Sequence, residues 1–242
     1  MTNKETVIGF VLLLIIGGLQ FYQNIRQNND IMEMRELLAS HIRGSKDIIN
    51  LPYGFTYVYE RFALYNAKID TNTVIKYIEV VDAFNMREDT THFDWLIGQV
   101  ILESGARQFD DDGDVIRGTS GEVGMTQIMP STALGLLSEI DDHTVLYDLG
   151  ASDFSFISKK SIDKKEKLAL IVKWLSETDN NLILWGFIMS DNMRRNGILK
   201  GLVAYNAGLG GMQKFIGLFC KPEEHKYIQG IKDTLQYVSV NI

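Results

Sequence analysis

Residues 91–105 read THFDWLIGQVILESG, and this stretch decides the fold class. Its first four letters resemble a capping box, the hydrogen-bonded start of a helix. From Phe93 onward, apolar side chains recur every three to four residues, which is the spacing of one helix face. Gly105 is a typical residue for the end of a helix. The stretch therefore predicts an amphipathic helix over residues 91–104.

Similar periodicity extends over most of the chain that follows. It predicts further helices over residues 70–83, 164–176, 182–193 and 197–207. No stretch shows the sustained alternation of apolar and polar residues that is typical of a β-strand, and no internal repeat is visible. The sequence therefore predicts a mainly α fold, with residues 70–242 as one domain.

Composition limits the class of protein. Of the 242 residues, 45% are hydrophobic and 23% are charged, which is typical of a folded globular protein and not of a disordered one. Acidic residues outnumber basic ones, 31 to 24, so the net charge of −7 argues against a nucleic-acid partner. Cys220 is the only cysteine, which excludes an internal disulfide and a cysteine-based zinc site. We expect no metal and no other cofactor.

The N-terminal segment is the most apolar part of the chain. Residues 7–19 read VIGFVLLLIIGGL, and the apolar stretch up to residue 22 is short but sufficient for a bilayer span. A cleaved signal peptide needs small residues at its cleavage site, and residues 17–24 (GGLQFYQN) offer no such pattern. We therefore expect residues 1–22 to be an uncleaved anchor, with residues 7–22 in the lipid bilayer as a transmembrane helix.

Residues 23–69 are expected to connect this anchor to the helical domain. Apolar residues recur at near-helical intervals over residues 23–43, which favours a helical stalk. Residues 51–65 are rich in tyrosine and phenylalanine. Packing against the domain is the commoner use of such side chains, and we favour it over a belt at the membrane interface.

Glu103 lies in the last turn of the predicted 91–104 helix, at the rim of its apolar face. Partial burial disfavours a charged carboxylate, and the negative end of the helix dipole disfavours it further. Both effects raise the pKa of the carboxyl group, as a general acid working near neutral pH requires. A glutamate without catalytic function can occupy the same position, so Glu103 alone does not decide the function.

Two glycine-containing motifs follow Glu103. Residues 121–133 read GEVGMTQIMPSTA, and residues 204–208 read AYNAG. In the first motif, two glycines allow close approach of the backbone, and Pro130 can begin a helix. In the second motif, Gly208 predicts a break in the helix.

In this order, ES at positions 103–104, GEVGMTQIMPSTA and AYNAG resemble the three motifs of the soluble lytic transglycosylase family, lysozyme-like enzymes that cleave peptidoglycan. Residues 224–228 (EHKYI) also resemble the family's C-terminal E-x-x-Y-V element. The resemblance covers about residues 71–237. It implies a lysozyme-like helical domain with a groove for a glycan strand, as the catalytic domain over residues 70–242.

The resemblance implies a role for each matched residue. Glu103 corresponds to the single catalytic acid and base. Ser104 corresponds to a serine that helps to hold this carboxylate, Tyr205 to a tyrosine that hydrogen-bonds it, and Gln127 to a glutamine that contacts the N-acetyl region of the sugar. The residues expected at the substrate are Ser104, Ser120, Gln127, Tyr205 and Asn206.

The implied reaction is not a hydrolysis. Glu103 would protonate the glycosidic oxygen between N-acetylmuramic acid and N-acetylglucosamine, while the substrate's own N-acetyl group stabilises the oxocarbenium-like centre. The Glu103 carboxylate would then remove the proton of the muramic O6 hydroxyl, and a 1,6-anhydro ring would close. This scheme needs no second carboxylate, unlike that of most glycoside hydrolases.

Two alternatives stay open. Glu122 stands where the family carries a small residue, and Thr126 stands where it carries methionine. A muramidase that hydrolyses the same bond could use Glu122, or an acid of residues 110–114 (DDDGD), as its second carboxylate. The other alternative is a non-catalytic peptidoglycan-binding module, although such a module does not need an acid at position 103.

Residues 110–114 also resemble a calcium-binding loop in composition. Counted from Gly113 as the sixth position, Gln108 and Thr119 occupy the first and twelfth positions, where the motif needs acidic ligands. A solvated acidic loop is therefore the favoured interpretation. Residues 138–180 are an expansion relative to the family pattern.

The anchor and the resemblance together predict where the protein acts. The catalytic domain has to face the cell wall, so we expect a single-pass membrane protein with its N-terminus in the cytoplasm. Its expected partners are peptidoglycan glycan strands and the lipid bilayer. Two settings fit: a bacterial inner-membrane enzyme of wall remodelling, secretion or conjugation, and a phage protein in the membrane of a virion.

Overall fold

The computed structural model describes Pro52 and residues 54–87, 90–140, 142–217 and 220–241. The expected anchor, residues 7–22, and most of the expected stalk lie outside the described residues. Within the described ranges, no helix has both the length and the apolar character that a bilayer span requires. Pro52–Ile242 is one compact unit.

This unit is mainly α-helical, which confirms the fold class that the periodicity predicts. The α-helices are α1 (Phe55–Ala63), α2 (Thr71–Ala83), α3 (Thr90–Ser104), α4 (Pro130–Glu139), α5 (Thr144–Asp148), α6 (Lys164–Leu175), α7 (Thr178–Asn196), α8 (Ile198–Gly217) and α9 (Lys226–Asn241). Two short 3-10 helices span Ser155–Ile157 and Pro222–Glu224. In the described part of the chain, β-type pairing is confined to isolated bridges between residues 109 and 128.

Local chemistry explains where several helices begin and end. Asp70 caps α2, because its carboxylate accepts a hydrogen bond from the Thr73 amide at 2.9 Å. Pro130 is the first residue of α4, as the sequence predicts. Within α8, Gly208 has a φ of 71° and a ψ of 162°, so the helix is broken at the predicted glycine.

The core forms around α3 and α7. Leu96, Ile97 and Val100 of α3 are fully buried, and the helix contacts α1, α8 and α9. Each such aliphatic side chain contributes about 1.5–3 kcal/mol through burial. Trp185 of α7 is also fully buried and stacks on Tyr77 of α2, with ring centroids 5.4 Å apart. Burial on α3 and α7 therefore holds together the helices that surround the end of α3.

The aromatic segment belongs to this core. Phe62 of α1 is fully buried and meets the Tyr77 ring edge-on at 5.1 Å, while Tyr57 stacks on Phe93 at 6.1 Å. These rings fill the space beside α2 and α3. The helical unit consequently begins at Pro52, and the expected domain boundary at residue 70 lies inside it.

The expansion at residues 138–180 folds beside α4. Its aromatic residues form a small cluster in which Phe154 stacks on Tyr147 at 4.9 Å and meets Trp174 edge-on at 5.7 Å. The Trp174 indole also donates a hydrogen bond to the Ser152 carbonyl at 2.9 Å. The expansion is thus a packed extension of the helical unit, and it supports α4 from outside.

Candidate active site

Glu103 lies half-buried in the last turn of α3. Tyr227, near the start of α9, donates a hydrogen bond from its hydroxyl to the Glu103 carboxylate. Tyr227 also forms a hydrogen bond with Gln99, one turn earlier in α3. Burial raises the pKa of Tyr227 well above its ordinary value, and the hydrogen bond with Gln99 opposes this rise only in part. Gln99 is fully buried and accepts a hydrogen bond from the Trp185 indole at 3.2 Å. The carboxylate is therefore positioned by a buried polar chain that leads into the core.

The pKa of Glu103 is raised from 4.5 to about 7. Burial is the largest cause, because it disfavours the charged form. The hydrogen bond from Tyr227 opposes this effect, and the nearby negative charge of Glu122 adds to it. At neutral pH this side chain therefore exists in both protonation states, as a group that gives and then takes a proton requires.

Tyr205 does not make the contact that the resemblance implies. Its hydroxyl donates a hydrogen bond to the Thr126 carbonyl at 2.6 Å, and Tyr227 donates to Glu103 instead. Burial, followed by the charge of Glu103, raises the pKa of Tyr205 well above 10, so the ring lies near the carboxylate without binding it. Tyr227 and not Tyr205 donates to the carboxylate because the tertiary packing of α9 against α3 brings Tyr227 to Glu103.

Ser104 also differs from its expected role. Its hydroxyl donates to the Met125 carbonyl at 2.7 Å and accepts from the Arg107 amide at 3.1 Å. Ser104 therefore ties the end of α3 to residues 118–129, which we call the glycine loop. It acts on the backbone around Glu103 and not on the Glu103 carboxylate.

Buried amide side chains hold the glycine loop from the other side. Gln108 accepts a hydrogen bond from the Met125 amide at 2.7 Å and donates to the Leu175 carbonyl at 2.9 Å. Asn181 of α7 donates to the Val123 carbonyl at 2.9 Å. Together with Ser104, these contacts anchor the loop to α3, to α7 and to the end of α6.

Thr126 completes this anchoring. Its amide and its hydroxyl both donate to the Asn181 side-chain oxygen, at 2.9 and 2.8 Å. The threonine that departs from the family pattern is thus a buried partner of Asn181. Gly124 packs against the same side chain: a Cβ atom there would lie 2.6 Å from the Asn181 nitrogen, and the φ of 76° also favours glycine.

A cleft of about 660 Å³ opens beside Glu103. Its walls come from the end of α3, the glycine loop, α4, α7 and α8. We call it the main cleft. Among the residues expected at the site, it is lined by Glu103, Gln127, Tyr205 and Asn206. Ser104 and Ser120 are not in its lining.

Gln127 enters the main cleft from a strained backbone. Its φ is 54°, in the left-handed region that few non-glycine residues adopt. Its side-chain nitrogen donates to the Gly124 carbonyl at 2.7 Å, which helps to hold this conformation. Gly118 lies directly beneath, because a Cβ atom there would be 2.5 Å from the Gln127 side-chain oxygen. Such strain persists where the surroundings over-determine it, and it often marks functional positions.

Glu122 brings a second carboxylate to the main cleft. Its side chain accepts a hydrogen bond from the Ser120 amide at 3.0 Å, which sets its direction. Its charge contributes to the raised pKa of Glu103, so the two carboxylates are close enough to interact. Ser120 itself is exposed and contributes its backbone to Glu122.

The acidic loop at residues 110–114 is an exposed turn. The Asp110 carboxylate accepts hydrogen bonds from the Asp112 and Asp114 amides, each at 3.0 Å, while Asp111 forms an ion pair with Lys68 at 3.1 Å. Across the described ranges, no cluster of three or more histidine, cysteine or acidic side chains is arranged to hold a metal ion.

Sequence reasoning did not identify Gln99, Gln108, Asn181 or Tyr227 as parts of this site. The involvement of Gln99 could have been predicted, because a polar residue on the apolar face of a predicted helix needs a hydrogen-bond partner when it is buried. Tyr227 lies in the EHKYI segment, and its contact with Glu103 appears only when α9 is packed.

In comparisons with known proteins, no family model, no curated protein and no solved structure matches this chain.

Proposed function

We propose that this protein is a peptidoglycan lytic transglycosylase with a lysozyme-like fold, in which Glu103 is the catalytic acid and base. One observation carries the proposal: Glu103 lines an open cleft and has a pKa raised to about 7. A carboxyl group with this pKa, accessible from the cleft, suits a residue that is a proton donor in one step and an acceptor in the next.

In the first step, neutral Glu103 donates its proton to the glycosidic oxygen between N-acetylmuramic acid and N-acetylglucosamine. The bond from C1 of the muramic acid to this oxygen breaks, and the leaving sugar keeps the electron pair. The N-acetyl group of the muramic acid stabilises the positive charge at C1. The hydrogen bond from Tyr227 stabilises the Glu103 carboxylate that has formed.

In the second step, the O6 hydroxyl of the same muramic acid attacks C1. Its proton returns to Glu103, and the 1,6-anhydro ring closes without consumption of water. Gln127 and Asn206 line the main cleft and are the proposed contacts to the sugar amides and hydroxyls. Tyr205 acts indirectly, because its hydrogen bond supports the glycine loop.

The proposed location follows from residues 7–22, a membrane anchor in this proposal. The catalytic domain would lie on the wall side of the membrane, where a tether restricts cutting to nearby glycan strands. Local opening of the wall is needed by secretion and conjugation assemblies and by phage during entry. The proposal therefore includes one of these assemblies as a partner.

The experiment is mass spectrometry of the products released from purified peptidoglycan. The full chain in detergent micelles is compared with Glu103→Gln, and with Glu139→Gln as a control for the loss of one exposed carboxylate. We expect 1,6-anhydro ends from the parent and from Glu139→Gln, and none from Glu103→Gln. Anhydro ends of equal yield from Glu103→Gln would refute the assigned role.

Glu122 favours one alternative, a muramidase. A second carboxylate in the same cleft could activate water and give reducing ends in place of anhydro ends. The product analysis separates the two reactions, because only hydrolysis incorporates oxygen from ¹⁸O-labelled water. A folded protein that binds glycan strands without cleaving them would instead be a binding module.

A further inference from the structure

A second cleft, of about 620 Å³, lies next to the main cleft. The two clefts share Phe187 and Asp191 of α7 as lining residues. We call the second one the side cleft. The other lining residues that matter here are Phe84, Met86, Met193, Arg194 and Ile198. Because the two clefts adjoin at these residues of α7, a branch of a ligand in the main cleft can reach the side cleft.

The two clefts differ in charge. The carboxyl groups of Glu103 and Glu122 line the main cleft, and no lysine, arginine or histidine is among its described lining residues. A ligand group with a free carboxylate is therefore disfavoured there. The side cleft contains a guanidinium group, Arg194, so the anionic part of a ligand is favoured on this side of α7.

The ion pair with Asp191 does not occupy all of the donors of Arg194. The Asp191 carboxylate accepts a hydrogen bond from Arg194 at 2.7 Å and forms an ion pair with Arg195 at 2.8 Å. The Asp191 carboxylate is therefore shared between two guanidinium groups. The described hydrogen bond of Arg194 uses only Nη2, and a guanidinium group has further donors on Nε and Nη1. Its side chain is 78% exposed, so these donors are accessible to a ligand.

The other wall of the side cleft is apolar. Met86 is buried, Met193 and Ile198 are half-buried, and Phe84 meets Phe187 edge-on with ring centroids 6.2 Å apart. Such a wall suits small aliphatic side chains. A short peptide that ends in a free carboxylate therefore has both of the features that this cleft can bind.

We propose that the side cleft binds the peptide branch of the peptidoglycan strand whose glycan lies in the main cleft, with Arg194 receiving a carboxylate of that peptide. The inference rests on the proposed function, because it takes peptidoglycan as the substrate. Arg194 is in this view a residue that determines substrate specificity. Arg195 is its internal control, since it pairs with Asp191 but does not line the side cleft.

The test measures binding, so that it does not depend on turnover. Soluble glycan fragments that carry peptides, the same fragments with the peptides removed, and fragments with amidated peptide carboxylates are titrated calorimetrically. The protein is the full chain with Glu103→Gln, alone and combined with Arg194→Gln or Arg195→Gln. Removal of the peptide exposes the lactyl carboxylate of the muramic acid, so the amidated fragments distinguish these two carboxylates.

We expect the peptide-bearing fragments to bind about tenfold more tightly than the stripped ones, as one charge-assisted hydrogen bond would give. This ratio should fall fivefold or more with Arg194→Gln, stay within twofold with Arg195→Gln, and fall similarly when the peptide is amidated. An unchanged ratio in Arg194→Gln, an equal loss in both arginine variants, or no effect of amidation would overturn the proposal. Absence of anhydro products from the parent protein would refute the chemistry proposed for Glu103, while the binding ratio would still decide the side cleft.

Discussion

The hydroxyl of Tyr227 in α9 donates a hydrogen bond to the carboxylate of Glu103 at the end of α3, across 124 positions of sequence. Burial and the negative charge of Glu103 raise the pKa of Tyr227 well above 10, so its hydroxyl keeps its proton and remains a donor. This donor stabilises the charged form of Glu103, while burial and Glu122 favour the neutral form. The pKa of about 7 is the result of this opposition.

We expect Tyr227→Phe to raise the pKa of Glu103, because the variant loses the hydrogen bond that favours the carboxylate. In the proposed reaction Glu103 must be protonated for the first step, so the alkaline limb of the pH profile of kcat/KM should move to higher pH. The value of kcat/KM should also fall roughly 10- to 100-fold, the size of a lost hydrogen bond to a charged group. Tyr237→Phe, at an exposed position of the same helix, should change neither quantity.

Glu122→Gln should shift the pH profile of kcat/KM in the direction opposite to that of Tyr227→Phe. Removal of a nearby negative charge makes ionisation of Glu103 easier, so the alkaline limb should move to lower pH. Anhydro products should persist, because the proposed reaction uses one carboxylate. If Glu122→Gln abolished cleavage and the parent released reducing ends, Glu122 would be the second carboxylate of a muramidase.

Most helices, and the properties of Glu103, could be predicted from the sequence. The end of α3, the start of α4 at Pro130 and the break at Gly208 depend on local chemistry, and local patterns identify them. The raised pKa of Glu103 could be predicted because it depends mainly on burial at the rim of an amphipathic helix.

The partners of Glu103 and of the glycine loop could not be predicted in this way. Tyr205 and Tyr227 are both tyrosines on helices near the site, and only the packing of α9 on α3 decides which of them donates to the carboxylate. Similarly, nothing local marks Asn181 as the residue that receives Thr126. Hydrogen bonds between residues distant in sequence become visible only in the folded protein.

Asn181→Ala should destabilise the protein by about 3 kcal/mol, because it leaves the buried Val123 carbonyl and the Thr126 donors without their partner. Urea unfolding followed by tryptophan fluorescence measures this difference. Asn206→Ala is the matched control, since Asn206 is an exposed residue of the main cleft and should affect activity instead. Equal stability losses in the two variants would contradict the anchoring role of Asn181.

The raised pKa of Glu103 predicts how the stability of the protein depends on pH. Between about pH 4.5 and 7 the unfolded chain releases the Glu103 proton while the folded protein keeps it. The folded state therefore binds more protons, and this group makes the free energy of unfolding fall as pH rises through that window, with no further loss above it. The shift from 4.5 to about 7 corresponds to about 3 kcal/mol.

Glu103→Gln keeps the neutral form at every pH and should remove this loss. The free energy of unfolding of the variant minus that of the parent should therefore increase by about 3 kcal/mol from pH 4 to pH 8. Most of this increase should occur between pH 4.5 and 7. Urea unfolding at a series of pH values, at constant ionic strength, measures the gain. Glu139→Gln removes one exposed carboxylate from α4 and controls for the change in net charge. A gain of the same size in Glu139→Gln would trace the effect to overall charge and not to the buried carboxyl group. The burial that makes the charged Glu103 carboxylate unfavourable to folding is the same burial that raises its pKa into the range that the proposed reaction requires.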